Sequence, residues 1–133
     1  MPIANRRTFL ASAAIASLSP VAIAESHKLQ TPKLVHHVFF WLKRPDSKAD
    51  RDRLLKGLAT LTAIESVRGS HFGVPASTEK RDVVDSSFSV SEILFFDDTA
   101  GQKAYQDHPI HRQFVADCEE LFAKVVVYDV ISA

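Results

Sequence analysis

The 133-residue chain carries 16 basic and 16 acidic side chains, six histidines and a single cysteine. A balanced charge offers nucleic acid no electrostatic footprint, and one cysteine excludes an internal disulfide. The length suits one small domain with a modest core, a size that often gains from pairing with a copy of itself.

At the start, Arg6 and Arg7 precede an apolar stretch from Phe9 to Leu18 and then the small residues Ala22-Ile23-Ala24. This is the layout of a signal peptide with a cleavage point before Glu25. The stretch is shorter than the roughly 20 residues that span a bilayer. Asn5-Arg6-Arg7-Thr8-Phe9-Leu10 resembles the twin-arginine leader of bacteria, with an ordinary secretory leader as the alternative. Residues 1–24 are thus expected to be an address, and the mature protein to be periplasmic or secreted with no stable membrane insertion. Their removal takes away two basic residues and no acidic one, leaving a net charge of minus two. Residues 25–33 are polar, contain Pro32, and read as a flexible tether.

From Leu34 to Lys43 the chain is β-branched and aromatic and stops at Pro45, which predicts a strand. Its odd positions carry Val35, His37, Phe39 and Trp41; its even positions carry His36, Val38, Phe40 and Leu42. Both faces are apolar, so both are expected to be covered. Asp46 or Ser47 then caps an amphipathic helix with Leu54, Leu55, Leu58 and Leu61 on one side. Val67 to Val74, broken by Gly69 and Gly73, predicts a weaker second strand, and the polar run from Ala76 to Ser87 a loop.

Phe88 to Phe96 alternates as a third strand, with Phe88, Val90, Glu92, Leu94 and Phe96 on one face. Thr99 is read as the cap of a short helix that Pro109 ends near Asp107. A further helix from Ile110 to about Phe122 turns Phe114, Val115, Cys118 and Leu121 inward, and Lys124 to Ile131 closes the chain as a strand. The helical spacing of Cys118 with Phe114 and Leu121 marks a buried structural thiol.

The order β-α-β-β-α-α-β belongs to the α+β class: a ferredoxin-like antiparallel sheet with helices on one face. A bare sheet face bearing Phe39, Trp41, Leu94 and Phe96 would be a large apolar patch. It is expected to meet the same face of a second copy, giving a homodimeric α+β barrel with a shared interior.

Three segments carry a family resemblance: Val35-His36-His37-Val38-Phe39-Phe40-Trp41-Leu42-Lys43, then Tyr105-Gln106-Asp107-His108-Pro109-Ile110-His111 with Phe114, then Val125-Val126-Val127-Tyr128-Asp129. Together they resemble the stress-responsive A/B barrel (Dabb) domain, over residues 34–131. The resemblance implies a dimer; it also implies that an activity, where there is one, is similar to that of olivetolic acid cyclase. That plant enzyme of the family closes a ring by an aldol-type step without metal or cofactor. On the matching motifs its base falls at His111, its substrate-orienting tyrosine at Tyr105 and its first-strand histidine at His37. Where the cyclase has a further pocket histidine on the third strand, this chain has Val90.

An imidazole at His111 can take a proton next to a carbonyl while the Tyr105 phenol steadies the oxyanion. The alternative is that His111 orients the helix pair and Tyr105 fills the helix–sheet interface. Phe39, Trp41, Val90, Glu92 and Phe114 are the expected ligand pocket. Glu92 needs a partner there, either His37 or His111 or a basic side chain in an ion pair. His108, before Pro109, reads as a cap. His108 and His111 stand three apart, yet no convergent ligand set is visible, so neither metal nor cofactor is expected. Three functions stay open: an exported dimer binding a small apolar or aromatic molecule, a cofactor-free lyase or cyclase, and a structural assembly protein.

Overall fold

The computed structural model describes residues 31–133. The expected leader, with Arg6, Arg7, Ala22 and Ala24, lies outside the described residues, as does most of the tether. The elements are β1 (Leu34–Leu42), α1 (Lys48–Thr60), β2 (Gly69–Gly73), β3 (Val90–Phe96), α2 (Thr99–Asp107), α3 (Pro109–Cys118) and β4 (Phe122–Ile131). Single 3₁₀ turns follow α1 at Leu61–Ala63 and α3 at Glu119–Leu121. This is the expected β-α-β-β-α-α-β order.

The sheet is antiparallel with strand order β2-β3-β1-β4, which puts the first strand in the interior and the last at an edge. The helices cover one face. Ser47 caps α1 by accepting from the Asp50 amide at 3.1 Å, and Asp50 is itself clamped by the Arg44 guanidinium. The cap of α2 is Asp98 rather than Thr99: its carboxylate accepts from the Gly101 amide at 2.8 Å. An aspartate one position earlier brings a charged acceptor to the free amides of the first turn. α3 opens on Pro109, and the expected capping role of His108 is observed, with Nδ1 accepting from the Ile110 amide at 3.1 Å.

The core lies between sheet and helices. β1 buries Leu34, His36, Val38, Phe40 and Leu42, and β3 buries Val90, Glu92, Leu94 and Phe96, against Leu54, Leu58, Leu61, Tyr105 and Phe114. Cys118 is part of this layer, and burial pushes its thiol pKa up. One expectation is corrected. Leu94 and Phe96 do not share a face with Phe39 and Trp41, because β1 and β3 pair His36 with Leu94 and Leu34 with Phe96. Directly paired residues point to the same side. The even positions of both strands therefore face the helices, and a one-residue slip in register would have reversed this.

The uncovered face carries Val35, His37, Phe39 and Trp41 from β1, Ser91, Ile93 and Phe95 from β3, and Val126, Tyr128 and Val130 from β4. Tyr128 is 60% exposed and Val130 57% exposed. Phe88 precedes β3 and stacks edge-on against Phe39 with ring centroids 4.9 Å apart.

Candidate active site between sheet and helices

The helix-side layer contains a run of polar side chains that the core would not tolerate unpaired. Tyr105 enters it from α2 and Glu92 from β3, each 1% exposed. The Tyr105 hydroxyl donates to Glu92 Oε1 at 3.3 Å. Glu92 thus finds neither a histidine nor a basic side chain as partner, the two options left open by its sequence position, but a phenol. His36 comes from β1 and is 5% exposed. Its Nδ1 lies 2.5 Å from Asp129 Oδ1 on β4, directly across the strand pairing. A carboxylate can only accept, so Nδ1 carries the proton of this hydrogen bond.

Tyr105 stands between the two histidines. Its ring centroid is 5.6 Å from that of His36 and 4.7 Å from that of His111, both at edge-on angles. His111, on the first turn of α3, is partly exposed and forms the rim of the cluster. Pro109 fixes that turn, and the cap by His108 holds it, so the loop between α2 and α3 is what delivers Tyr105 and His111 to the same place.

Burial sets the protonation states. It pushes the Glu92 pKa from 4.5 to about 7, against the opposing pull of the Tyr105 hydroxyl. It raises the Tyr105 phenol well above its ordinary value, with the Glu92 charge adding to the effect. It lowers His111, a hydrogen bond at the Gln106 backbone raises it in part, and the neighbouring His36 lowers it further. At neutral pH His111 is therefore a neutral imidazole and Tyr105 a neutral phenol. The first can take a proton, and the second can donate a hydrogen bond.

His37 is not part of this cluster. It lies on the uncovered face, hydrogen-bonded through Nε2 to Ser91 Oγ at 2.8 Å and packed on Phe39. Burial and the nearby His71 lower its pKa. The first-strand histidine beside Tyr105 is His36, because neighbouring residues of a strand point to opposite faces.

The expected ligand pocket is likewise divided. Val90, Glu92 and Phe114 are in the helix-side layer, Phe114 with its ring centroid 6.4 Å from that of His111. Phe39 and Trp41 instead line a recess of about 260 Å³ on the uncovered face, with Asp85, Ser87, Phe88, Lys124, Val126 and Tyr128. Trp41 donates from its indole to Ser87 Oγ at 3.0 Å, and Lys124 Nζ lies 4.7 Å from the centre of the Trp41 ring. Among the described residues no three His, Cys, Asp or Glu side chains converge as a metal-ligand group.

Sequence reasoning put His36 on the strand face opposite His37, toward the helices or solvent, without giving it a role, and passed over Asp129. Their signal was present: Asp129 is the only carboxylate in the last strand, and His36 shares its parity with Val38 and Phe40.

A ferredoxin-like α+β fold with a histidine–tyrosine–carboxylate cluster under the helices defines the class. The model of the stress-responsive A/B barrel domain matches residues 34–132, and the chain belongs to that family. Among solved structures it is similar to a Dabb-family protein with a ferredoxin-like fold from Mesorhizobium loti: 25% identity, 77% of this chain and 99% of the other, TM-score 0.63. It is also similar to the hydroxynitrile lyase of Passiflora edulis (21% identity, 77% and 96% covered, TM-score 0.64). A third is a dimeric ferredoxin-like protein of unknown function from Thermobifida fusca (20% identity, 80% and 96% covered, TM-score 0.61). No curated protein matches the chain.

Proposed function

We propose that the cluster is a cofactor-free proton-transfer site acting next to a carbonyl, of the lyase or cyclase type. The observation that supports this reading best is Tyr105 held between His111 and the Asp129-paired His36. In such a step His111 takes a proton from the carbon or hydroxyl beside the carbonyl. The electron pair moves onto the carbonyl oxygen or expels a leaving group, and Tyr105 donates a hydrogen bond to the oxygen that gains charge. His111 then returns the proton, to the α-carbon or to the departing group, and His36, its Nδ1–H held by Asp129, packs edge-on against Tyr105 and positions it. The likeness to a hydroxynitrile lyase agrees with this class through shared fold alone. The test is deuterium exchange at the α-carbon of simple aryl ketones in D₂O, with cleavage of mandelonitrile as a second assay. Exchange that disappears in His111→Ala supports the reading; exchange unchanged in that variant refutes it.

A second reading, binding of a small apolar or aromatic molecule, is favoured by the recess at Phe39 and Trp41. The uncovered face around it, with Tyr128 and Val130 largely exposed, fits burial against a second copy, in keeping with the dimeric Thermobifida protein. The homodimer is part of the proposal. So is export through the leader at Arg6 and Arg7 with cleavage after Ala24. A native mass spectrum of periplasmic protein tests both, through the starting residue and the subunit number.

A further inference from the structure

We propose that Glu92 is a positioning residue that decides which partner the Tyr105 hydroxyl serves, and thereby whether the site accepts a carbonyl oxygen. The inference rests on the carbonyl-site reading above. Tyr105 Oη and Glu92 Oε1 are 3.3 Å apart in a layer where both residues are 1% exposed. Among the described residues, no lysine or arginine forms a salt bridge with Glu92.

The two charge states of Glu92 have opposite effects on the phenol. An ionised carboxylate has no proton to give, so the hydrogen between the pair comes from Tyr105, whose single O–H is then spent. A neutral carboxyl can donate to Tyr105 Oη instead. The phenol's own proton is then free to turn toward a ligand oxygen. Ionisation of Glu92 closes the site, and protonation opens it.

The surroundings put this change near neutrality. Glu92 lies mid-sheet, paired with Val38 on β1 and Phe72 on β2. The titratable groups of its layer are Tyr105 from α2, His111 and the Cys118 thiol from α3, His36 from β1 and, through His36, Asp129 from β4. α1 contributes Leu54 and Leu58. With an apolar layer and no cation, the carboxyl is moved to about 7.

The test is ¹³C NMR between about pH 5 and 9 on protein labelled at Glu Cδ and Tyr Cζ. Tyr105 is one of two tyrosines and is assigned by its absence in Tyr105→Phe. The expected result is a carboxyl titrating near 7 that is lost in Glu92→Gln. The Tyr105 resonance should move with the same midpoint and be flat in that variant. In Tyr105→Phe the carboxyl should titrate higher, since its ionised form has lost a donor. A Tyr105 signal that ignores the carboxyl titration, a Glu92 midpoint near 4.5, or an unchanged midpoint in Tyr105→Phe overturns the proposal. Ketone exchange then reports on the reading beneath it: exchange absent at every pH in every protein removes the carbonyl role while leaving the NMR result standing. Where exchange occurs, the wild type should lose roughly tenfold by one pH unit above the midpoint, and Glu92→Gln should not.

Discussion

His36 on β1 and Asp129 on β4 face each other across an antiparallel pair, and their side chains meet at 2.5 Å between Nδ1 and Oδ1. The histidine is buried, whereas the Asp129 side chain is half exposed, so an edge-strand carboxylate fixes the tautomer of a core imidazole. Asp129→Asn keeps the shape and removes the charge. It should lower ketone exchange by about tenfold to a hundredfold, less than the loss of an acid–base group itself because Asp129 acts through His36, and cost about 1–2 kcal/mol of stability as a hydrogen bond to a charged group weakens. Exchange at the wild-type rate in a folded Asn variant would remove His36 from the chemistry.

Much of the fold was legible in advance because its signals are local. The strand and helix periods, Pro109 at the helix junction and the glycines of β2 each act over a few residues. The division of the site was not. The parity of β1 already put His37 with Phe39 and Trp41 on the open side and His36 opposite, but which residues of β3 join them depends on the register between β1 and β3, and the pairing of His36 with Leu94 puts Glu92, Leu94 and Phe96 with His36. For the same reason Glu92 could be recognised as needing a partner while its partner, Tyr105, could not be named. Asp129 received no role because an edge strand shows little alternation.

Tyr105→Phe and His111→Ala separate the donor from the base. Loss of the phenol should slow exchange by about a hundredfold, the scale of a single oxyanion donor, with the circular dichroism spectrum unchanged. Loss of the imidazole should abolish exchange, and in the wild type exchange should fall on the acid side, because His111 must be neutral to accept a proton. The limb should lie below 6.5, as burial lowers this histidine.

Stability should form a dome in pH. Glu92 has a folded pKa of about 7 against 4.5 unfolded. The unfolded chain therefore releases this proton first, and stability falls as pH rises from about 4.5 through 7. The shift corresponds to about 3–3.5 kcal/mol at most. On the acid side His111 and His37 have lowered pKa values, so the unfolded state binds protons first and stability falls as pH drops below 6.5. Urea melts of wild type and Glu92→Gln check this. The variant should be more stable at pH 8 by about 1–3 kcal/mol and nearly equal at pH 4.

The uncovered face should control subunit number. Phe39, Trp41 and Tyr128 stand together there, Phe39 and Tyr128 with ring centroids 6.1 Å apart. Tyr128→Lys or Phe39→Asp would bury a charge between two sheets, which costs several kcal/mol without a partner. Sedimentation should find a monomer for either variant and a dimer for wild type. The helix-side ketone exchange should outlast the change, since its residues all come from one chain.

Gly57 on α1 packs directly against Phe114 and Cys118 of α3. A Cβ there would sit 2.8 Å from Cys118 Sγ and 3.2 Å from Phe114 Cδ2. Glycine inside a helix ordinarily costs about 1 kcal/mol relative to alanine, so Gly57→Ala should stabilise unless packing opposes it. Overpacking by one methyl costs about 1–3 kcal/mol, and the sulfur of Cys118 cannot swing away because it is itself in the core. The net expectation is a loss of about 1–2 kcal/mol, read as a lower melting temperature. In a Cys118→Ala background the nearest obstacle is gone and the same substitution should become neutral or favourable, a coupling of about 1 kcal/mol or more. Because Phe114 stands beside His111, the clash should also slow exchange in the single variant and be relieved in the double. Equal destabilisation in both backgrounds would show that Phe114, and not the thiol, fixes how closely α1 and α3 pack.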